Sequence, residues 1–249
     1  MKKNFLFVAM LLVALSFGFV SCDMINGNDP DDTTQDGSEN VVEDEKQDPV
    51  SLESVDLGLS VKWANCNVGA TKPEDCGDYF AWGEVVPKTY FDWSNYKWVQ
   101  EGDDDLIKYF IDEWYGNNVP VDNKTVLEAT DDAASVNMGG HWRMPTIAEV
   151  EELINGCVWT WTTLGNVEGY EVKSKTNDNS IFLPAAGGWI EDEHGGLREE
   201  CLYWASSLAV EENYRAWSLN AVSLEGVTEN PIPRYYGLSV RGVTIPKLH

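Results

Sequence analysis

The sequence is poor in histidine, and its potential metal ligands are not clustered. The three histidines, His141, His194 and His249, lie far apart along the chain. A metal site needs histidine, cysteine or carboxylate ligands at close spacing, and no segment shows that spacing. The acidic segment EDEHGG at residues 191–196 could contribute carboxylate ligands to a calcium site. Such segments are usually solvated loop tips, so calcium binding is only the alternative. We predict no metal and no cofactor.

Basic residues are also few. Lysine and arginine together number 17, against 42 aspartate and glutamate residues, which gives a formal net charge of −25. A chain of this charge is repelled by the phosphate backbone, so we exclude nucleic acid as a partner. The same charge argues against docking of the folded surface on anionic lipid headgroups.

Motifs of covalent catalysis are lacking as well. The serines of YWASSL, Ser206 and Ser207, have no glycine-flanked turn of the kind that exposes a nucleophilic serine. Carboxylates for glycoside hydrolysis are plentiful, but nothing singles out a pair. We interpret the chain as a protein without enzymatic activity, and a surface enzyme acting on polysaccharide is the least favoured alternative.

The long apolar run of the chain lies at its beginning. Lys2 and Lys3 precede an apolar segment from Phe5 to Val20, which is shorter than the ~20 residues of a typical transmembrane helix. The segment ends in FVSC, which resembles a bacterial lipobox. We predict a lipoprotein signal peptide over residues 1–21 and lipidation of Cys22. The lipid anchor would attach the protein to the membrane. Secretion without lipid and an uncleaved helix are the alternatives.

Two further regions follow the predicted anchor. Residues 22–54 are acidic and nearly devoid of large apolar side chains, so they cannot bury enough surface to fold and are predicted to form a disordered tether. Residues 55–249 are predicted to be the folded domain. The domain has four cysteines, an even number that is typical of disulfide pairing in an oxidising compartment. Three pairings are possible, and the alternative is that some of the cysteines are buried thiols. The four cysteines are Cys66, Cys76, Cys157 and Cys201.

The pattern of apolar residues predicts both helices and strands. Thr146 and Glu149 fit the capping box of a helix that ends at Asn155–Gly156, and Thr130 fits the cap of an earlier helix. Alternation in VDLGLSVKW predicts a strand over residues 55–63. Further strands are predicted within residues 77–84, 169–188, 201–210, 213–222 and 235–243. The two strands within 169–188 are joined by an Asn-Asp-Asn turn, and GGWIEDEHGG at residues 187–196 is interpreted as a loop. These elements predict an α+β domain with mostly antiparallel pairing.

Six segments occur in a specific order: VDLGLSVKWANCNVGATKPEDCGDYFAWGE, NKTVLEATDDAA, GGHWRMPT, SIFLPAAG, YWASSL and YYGLSVRGV. Together they resemble a family of Bacteroidetes surface lipoproteins related to the Fibrobacter succinogenes major paralogous domain, over roughly residues 55 to 245. The resemblance implies a C-type-lectin-like domain in which two helices flank a twisted, mostly antiparallel sheet.

The resemblance also implies roles for single residues. The motifs W-R-x-P, W-x-S-S and S-V-R belong to the scaffold, and a buried arginine needs acceptors, so we expect Arg143 and Arg241 to pin loops through carbonyl or carboxylate oxygens. His141 departs from the family pattern, in which a small residue is expected. The motif residues are Trp142, Arg143, Pro145, Trp204, Ser206, Ser207, Ser239, Val240 and Arg241.

The lectin-like relatives imply that ligands contact the last strands and their loops. Alternating strand positions must bury one face, so packing on the sheet is the favoured alternative for Tyr214 and Trp217, whereas Trp189 and Tyr235 are expected to be exposed. The candidate ligand-binding residues are Trp189, Glu211, Asn213, Tyr214, Trp217, Arg234 and Tyr235.

Eleven tryptophans and an aromatic content of 12% supply stacking surfaces for sugars. We expect a lipid-anchored outer-membrane protein whose domain faces the cell exterior and acts as a binding or adhesion module for a carbohydrate or protein ligand. The resemblance implies that Asp29, Asp31 and Asp32 serve surface export. A structural subunit of a surface or fimbrial assembly is the alternative.

Overall fold

The computed structural model describes residues 52–100, 105–116, 119–223 and 225–245, which belong to one unit, Gln47–His249. The predicted signal peptide, Cys22 and most of the predicted tether lie outside the described residues. No helix in the described ranges is long and apolar enough to cross a membrane.

Strands dominate the described chain. Two short 3₁₀ turns lie at Trp93–Asn95 and Glu113–Tyr115. The other elements are β1 (Ser54–Val55), β2 (Lys62–Asn67), β3 (Tyr79–Phe80), α1 (Ala133–Met138), α2 (Ile147–Gly156), β4 (Cys157–Leu164), β5 (Val167–Ser174), β6 (Ser180–Pro184), β7 (Ala186–Ile190), β8 (Glu193–Leu197), β9 (Glu200–Leu208), β10 (Arg215–Val222), β11 (Gly226–Pro233), β12 (Gly237–Ser239) and β13 (Arg241–Thr244).

The strands form three sheets. The largest has the order β11-β10-β9-β12-β7-β8, with β3 paired to β12. The two smaller sheets have the orders β1-β2-β13 and β4-β5-β6. All pairs are antiparallel except β9 with β12, which are parallel.

The predicted α+β, C-type-lectin-like class is wrong, because the described chain is mostly β-sheet. Two α-helices are present where they were predicted, but α1 has only six residues and α2 ten, and neither flanks a single twisted sheet. Helix α1 buries only Ala133 and Ala134. The interior is therefore enclosed by three sheets, which supply most of the buried side chains.

Helix α2 begins where the capping box was predicted. The Thr146 hydroxyl accepts from the Glu149 N–H, and the Glu149 carboxylate accepts from the Thr146 N–H at 2.8 Å. Val150 and Leu153 are its buried residues, and it ends at Gly156. Local hydrogen bonding thus fixes this helix start. Helix α1 differs from its prediction, because its cap is Asp132 rather than Thr130.

Three segments differ from their predicted form. VDLGLSVKW is not one strand: β1 ends at Val55, β2 begins at Lys62, and the turn between them has Gly58 at φ +72°. Leu57 is still buried. The alternation of apolar residues in this segment therefore reports which side chains are buried, but here they belong to a turn and not to a strand. Residues 187–196, interpreted as a loop, form most of the β7–β8 hairpin, and β11 was not predicted.

The core consists of two large apolar clusters. The first packs α2 against sheet residues and includes Leu57, Trp63, Val150, Leu153, Val172 and Leu219. The second lies around the W-x-S-S strand and includes Phe80, Trp82, Met144, Trp204, Leu238 and Val240.

No disulfide joins any two of the four cysteines in the described ranges. Cys157 and Cys201 are buried at strand positions that face the interior, and burial raises the pKa of their thiols to about 11 and about 12. Cys66, Cys157 and Cys201 are therefore buried thiols, as the alternative describes, whereas Cys76 is half-buried.

Candidate functional site

Arg241 on β13 lies at a junction between the two smaller sheets. Its guanidinium is fully buried and donates to the Ala64 carbonyl and the Asn67 side-chain oxygen on β2 at 3.0 and 2.8 Å. It also donates to the Phe182 carbonyl on β6 at 2.9 Å. All three acceptors are neutral, and together they fix β2, β6 and β13 in place.

Arg143 holds the start of α2. It donates to both carboxylate oxygens of Glu149, at 2.7 and 2.5 Å, and to the Met144 carbonyl at 3.0 Å. Burial alone would raise the pKa of Glu149, but hydrogen bonds from Arg143 and Thr146 hold it below its usual range. Both arginines donate to oxygen acceptors, but those of Arg241 lie on strands β2 and β6 rather than in loops, and those of Arg143 lie at the start of α2.

The W-x-S-S residues also bond to the scaffold. The Trp204 indole N–H donates to the Phe80 carbonyl at 2.8 Å. The Ser206 hydroxyl donates to the Pro145 carbonyl at 3.1 Å. The Ser207 hydroxyl accepts from a backbone N–H of α2 at 3.0 Å. Neither serine hydroxyl is placed as a nucleophile, since both are buried and engaged.

Arg234 and Asn213 need reassignment, because both are fully buried. Arg234 donates to the Tyr96 hydroxyl at 2.9 Å and to the carbonyls of residues 108, 109 and 213. Asn213 accepts from the backbone N–H groups of Ile111 and Asp112. Their polar atoms hold the segment 105–116 against the β9–β10 connection, so they are scaffold residues rather than ligand contacts.

The other candidates from the last strands divide between packing and exposure. Tyr214 is half-buried beside Tyr115, with ring centroids 6.0 Å apart. Trp217 is half-buried and packs against the first apolar cluster. Tyr235 was expected to be exposed, but it is half-buried and its ring lies 4.9 Å from the Trp93 ring. Glu211 is exposed in a turn.

Trp189, which was expected to be exposed, is half-buried and packs at the edge of a small apolar cluster. It lies on β7 directly opposite His194 on β8, and the two rings stack with centroids 4.4 Å apart and an interplanar angle of 11°. The Tyr79 ring stands edge-on to both, 6.1 Å from Trp189 and 5.2 Å from His194. The three rings form an aromatic wall.

Hydrogen bonds to one carbonyl hold this wall. The Ala186 carbonyl accepts from the Tyr79 hydroxyl at 2.7 Å and lies 2.8 Å from His194 Nε2. Burial lowers the pKa of His194, which favours a neutral ring whose Nε2–H donates to the carbonyl. Burial also raises the pKa of Tyr79, so its hydroxyl remains a donor.

The wall borders an open cleft of about 310 Å³. The segment 87–89 also lines the cleft, and there Lys88 Nζ is held by Glu84 at 2.9 Å and by the Asn95 carbonyl at 3.2 Å. Asp78 and Thr89 are exposed and offer a carboxylate and a hydroxyl. The lining residues are Gly77, Asp78, Tyr79, Pro87, Lys88, Thr89 and Trp189.

A larger cavity, of about 870 Å³, contains the segment His141–Arg143 in its lining. Its principal polar groups already have protein partners: Arg143 binds Glu149, and Asp132 accepts from two backbone N–H groups. Burial raises the pKa of Asp132. The charged groups Arg143 and Asp132 of this cavity are therefore engaged by the protein, whereas Asp78 and Thr89 of the cleft are exposed.

The sequence identified Trp189 but missed Tyr79 and His194. The signal for His194 was its separation of five residues from Trp189 across a polar turn, which places both on one face of a hairpin. Tyr79 reaches the site through long-range pairing of β3 with β12, which no local pattern predicts. Within the described ranges, no group of three or more histidine, cysteine or acidic side chains is arranged to hold a metal.

No protein-family model, curated protein or solved structure matches the chain. No relative therefore supports the C-type-lectin-like class that the strand content contradicts.

Proposed function

We propose that the folded domain is a carbohydrate-binding module, displayed outside the cell by a lipid anchor on Cys22. The observation that carries the proposal is the aromatic wall of Tyr79, Trp189 and His194 beside an open cleft. Sugar rings stack their C–H faces on aromatic rings, and their hydroxyls need a few polar partners at the rim. Asp78 and Thr89 provide such partners.

The electrostatics favour a neutral sugar. The chain has a formal net charge of −25, so an anionic glycan is repelled at long range. Lys88, the cation in the cleft lining, is paired with Glu84. A neutral ligand avoids this repulsion and can donate its hydroxyls to Asp78.

The number of carboxylates in the cleft favours binding of a glycan without hydrolysis. Asp78 is the single carboxylate among the lining residues. Glycoside hydrolysis uses two carboxyl groups on either side of the scissile bond. The arrangement therefore suits recognition of an intact glycan.

A glycan array probed with the full chain tests this proposal. We expect signals on neutral glycans that disappear for Trp189→Ala and persist for Trp114→Ala. Trp114 is a matched control because it is 76% exposed and does not line the cleft. Loss of signal with Trp114→Ala alone, or binding only to proteins on a matrix-protein panel, would contradict the proposal.

Display depends on Cys22, and it is tested separately. We expect Cys22→Ala to move the protein from the detergent phase to the aqueous phase, or to leave an uncleaved precursor, because acyl chains provide the membrane affinity. Unchanged partitioning in detergent would refute lipidation without affecting the cleft.

A further inference from the structure

Strand β4 is an unprotected sheet edge. It pairs only with β5 among the described strands, and its sequence, CVWTWTTL, contains no charged residue and no proline. Proteins usually protect long edges with charge, proline or irregularity, because unpaired N–H and C=O groups can add another strand. The largest sheet is protected at both edges: β11 carries Pro231 and Pro233, and β8 carries Glu193 and two glycines.

The hairpin turn shows which backbone groups of β4 face outward. Gly165 and Asn166, at φ +54° and +70°, connect Leu164 to its partner Val167 in a two-residue turn. The residues that flank such a turn form a hydrogen-bonded pair, and this pattern alternates along an antiparallel ladder. The N–H and C=O groups that point away from β5 therefore belong to Trp159, Trp161 and Thr163.

The side chains along this edge are accessible and mostly apolar. Val158 is 50% exposed and Leu164 is 40% exposed, on the face opposite the core. Thr160 and Thr162 are exposed between them, and Trp161 is only half-buried. The edge therefore combines free backbone groups with apolar surface, which is what strand addition requires.

We propose that β4 pairs in antiparallel fashion with β4 of a second copy, about a twofold axis at Trp161. In this register Val158 lies opposite Leu164 of the other copy, and Thr160 lies opposite Thr162. The outward backbone groups of both strands then meet in about six hydrogen bonds. The pairing joins two three-stranded sheets into one continuous sheet.

A second copy fits this edge because the strand is complementary to itself. The register places aliphatic opposite aliphatic and threonine opposite threonine, both of which are favourable cross-strand pairs. A twofold interface requires such self-complementarity. An unrelated strand would not need this symmetry, so the pattern favours self-association.

The charge pattern permits the same contact despite the net charge of the chain. On the exposed face, Glu171 of β5 lies beside Thr160, and Gly169 lies beside Thr162. In the proposed register, Thr160 lies opposite Thr162 of the other copy. The row across the joined sheet then runs Glu171 and Thr160 of one copy, followed by Thr162 and Gly169 of the other. The two Glu171 side chains therefore do not lie in the same row. The remaining repulsion is long-range and screened by salt, so association should strengthen as salt is added. This inference does not depend on the carbohydrate cleft.

Cysteine cross-linking of the full chain in detergent tests the register. Thr160→Cys and Thr162→Cys chains are mixed and oxidised with copper phenanthroline. Directly opposed residues at a non-hydrogen-bonded pair are about 4.5 Å apart at Cα, which a disulfide spans. We expect a dimer cross-linked between residues 160 and 162 in the mixture. Either variant alone should cross-link much less, because equal positions are diagonal and about 7–8 Å apart.

Sedimentation equilibrium of the full chain in density-matched detergent tests the surface without cysteines. We expect Thr162→Lys to raise the dimer dissociation constant at least about tenfold. Thr228→Lys, an exposed threonine on the proline-bearing edge β11, should leave it unchanged. A monomer at all concentrations and salt levels, equal effects of the two lysines, or equal cross-linking in unmixed samples would each overturn the proposal.

Discussion

The junction around Arg241 and the cleft around Trp189 both combine aromatic or apolar packing with polar groups. The polar groups differ in whether other protein groups already occupy them. At the junction, a fully buried guanidinium meets neutral oxygens from β2 and β6. In the cleft, the Ala186 carbonyl orders the aromatic wall, while the Asp78 and Thr89 side chains remain exposed. Where protein groups satisfy one another, a region holds the fold, and where they stay exposed, it can receive a ligand.

The same contrast explains why polarity alone misleads. Asn213 and Arg234 look like ligand contacts in the sequence, yet they resemble Arg241 in the structure, with full burial and backbone partners. A buried polar residue without partners would cost free energy, so such residues are placed where carbonyl and N–H groups converge. The comparison predicts that changes at the junction lower stability and that changes in the cleft lower affinity.

The largest expected effect is at the junction. Replacing Arg241 with methionine leaves the oxygens of Ala64, Asn67 and Phe182 without their donor in the interior. We expect the free energy of unfolding to fall by about 2–4 kcal/mol, because unsatisfied buried acceptors outweigh the recovered desolvation of the charge. Chemical denaturation measures this loss.

Arg198→Met is the matched control for Arg241→Met. The Arg198 side chain is 65% exposed, and its ion pair with Glu168 is long, at 3.9 Å. Its loss should change the free energy of unfolding by less than about 0.5 kcal/mol. Equal losses for the two variants would contradict the assignment of Arg241 to the scaffold.

A smaller effect concerns pH and the cleft wall. Burial lowers the pKa of His194 below its ordinary value of 6.5, so the unfolded chain takes up this proton first as the pH falls. The stability contributed by neutral His194 is therefore complete above that value and is lost as the pH falls toward the folded-state pKa. His194→Phe keeps a ring opposite Trp189 and removes the titration.

Thermal unfolding at about pH 7 and about pH 5 compares the two proteins across the range in which histidine titrates. We expect wild type to lose more stability on acidification than His194→Phe does, by less than about 1 kcal/mol because the ring is partly accessible to solvent. An identical dependence on pH would show that His194 is not held neutral by its surroundings.

Local signals in the sequence predicted individual elements, although the predicted fold class was wrong. The capping box of Thr146 and Glu149 placed the start of α2, because those contacts involve neighbouring residues. The turn between β5 and β6 was also predicted from its asparagine and aspartate residues. The short length of α1, the turn at Gly58 and the division into three sheets depend on contacts between distant segments.

The candidate site was predicted only in part, for the same reason. Trp189 could be identified because it lies beside glycines and charged residues. The stack with His194 needs the register of β7 on β8, and the contact with Tyr79 needs β3 to pair with β12. Arg234 was misassigned because its partners come from residues 96–109, far from it in the sequence.

The central claim, that the Trp189 cleft binds a neutral carbohydrate, is tested most directly by calorimetric titration. The full chain, Trp189→Ala and Trp114→Ala are each titrated with the strongest neutral glycan from the array. We predict that Trp189→Ala weakens binding by about 1–3 kcal/mol, roughly fivefold to 150-fold, and that Trp114→Ala binds as wild type does. Equal affinity of Trp189→Ala and wild type would contradict the account.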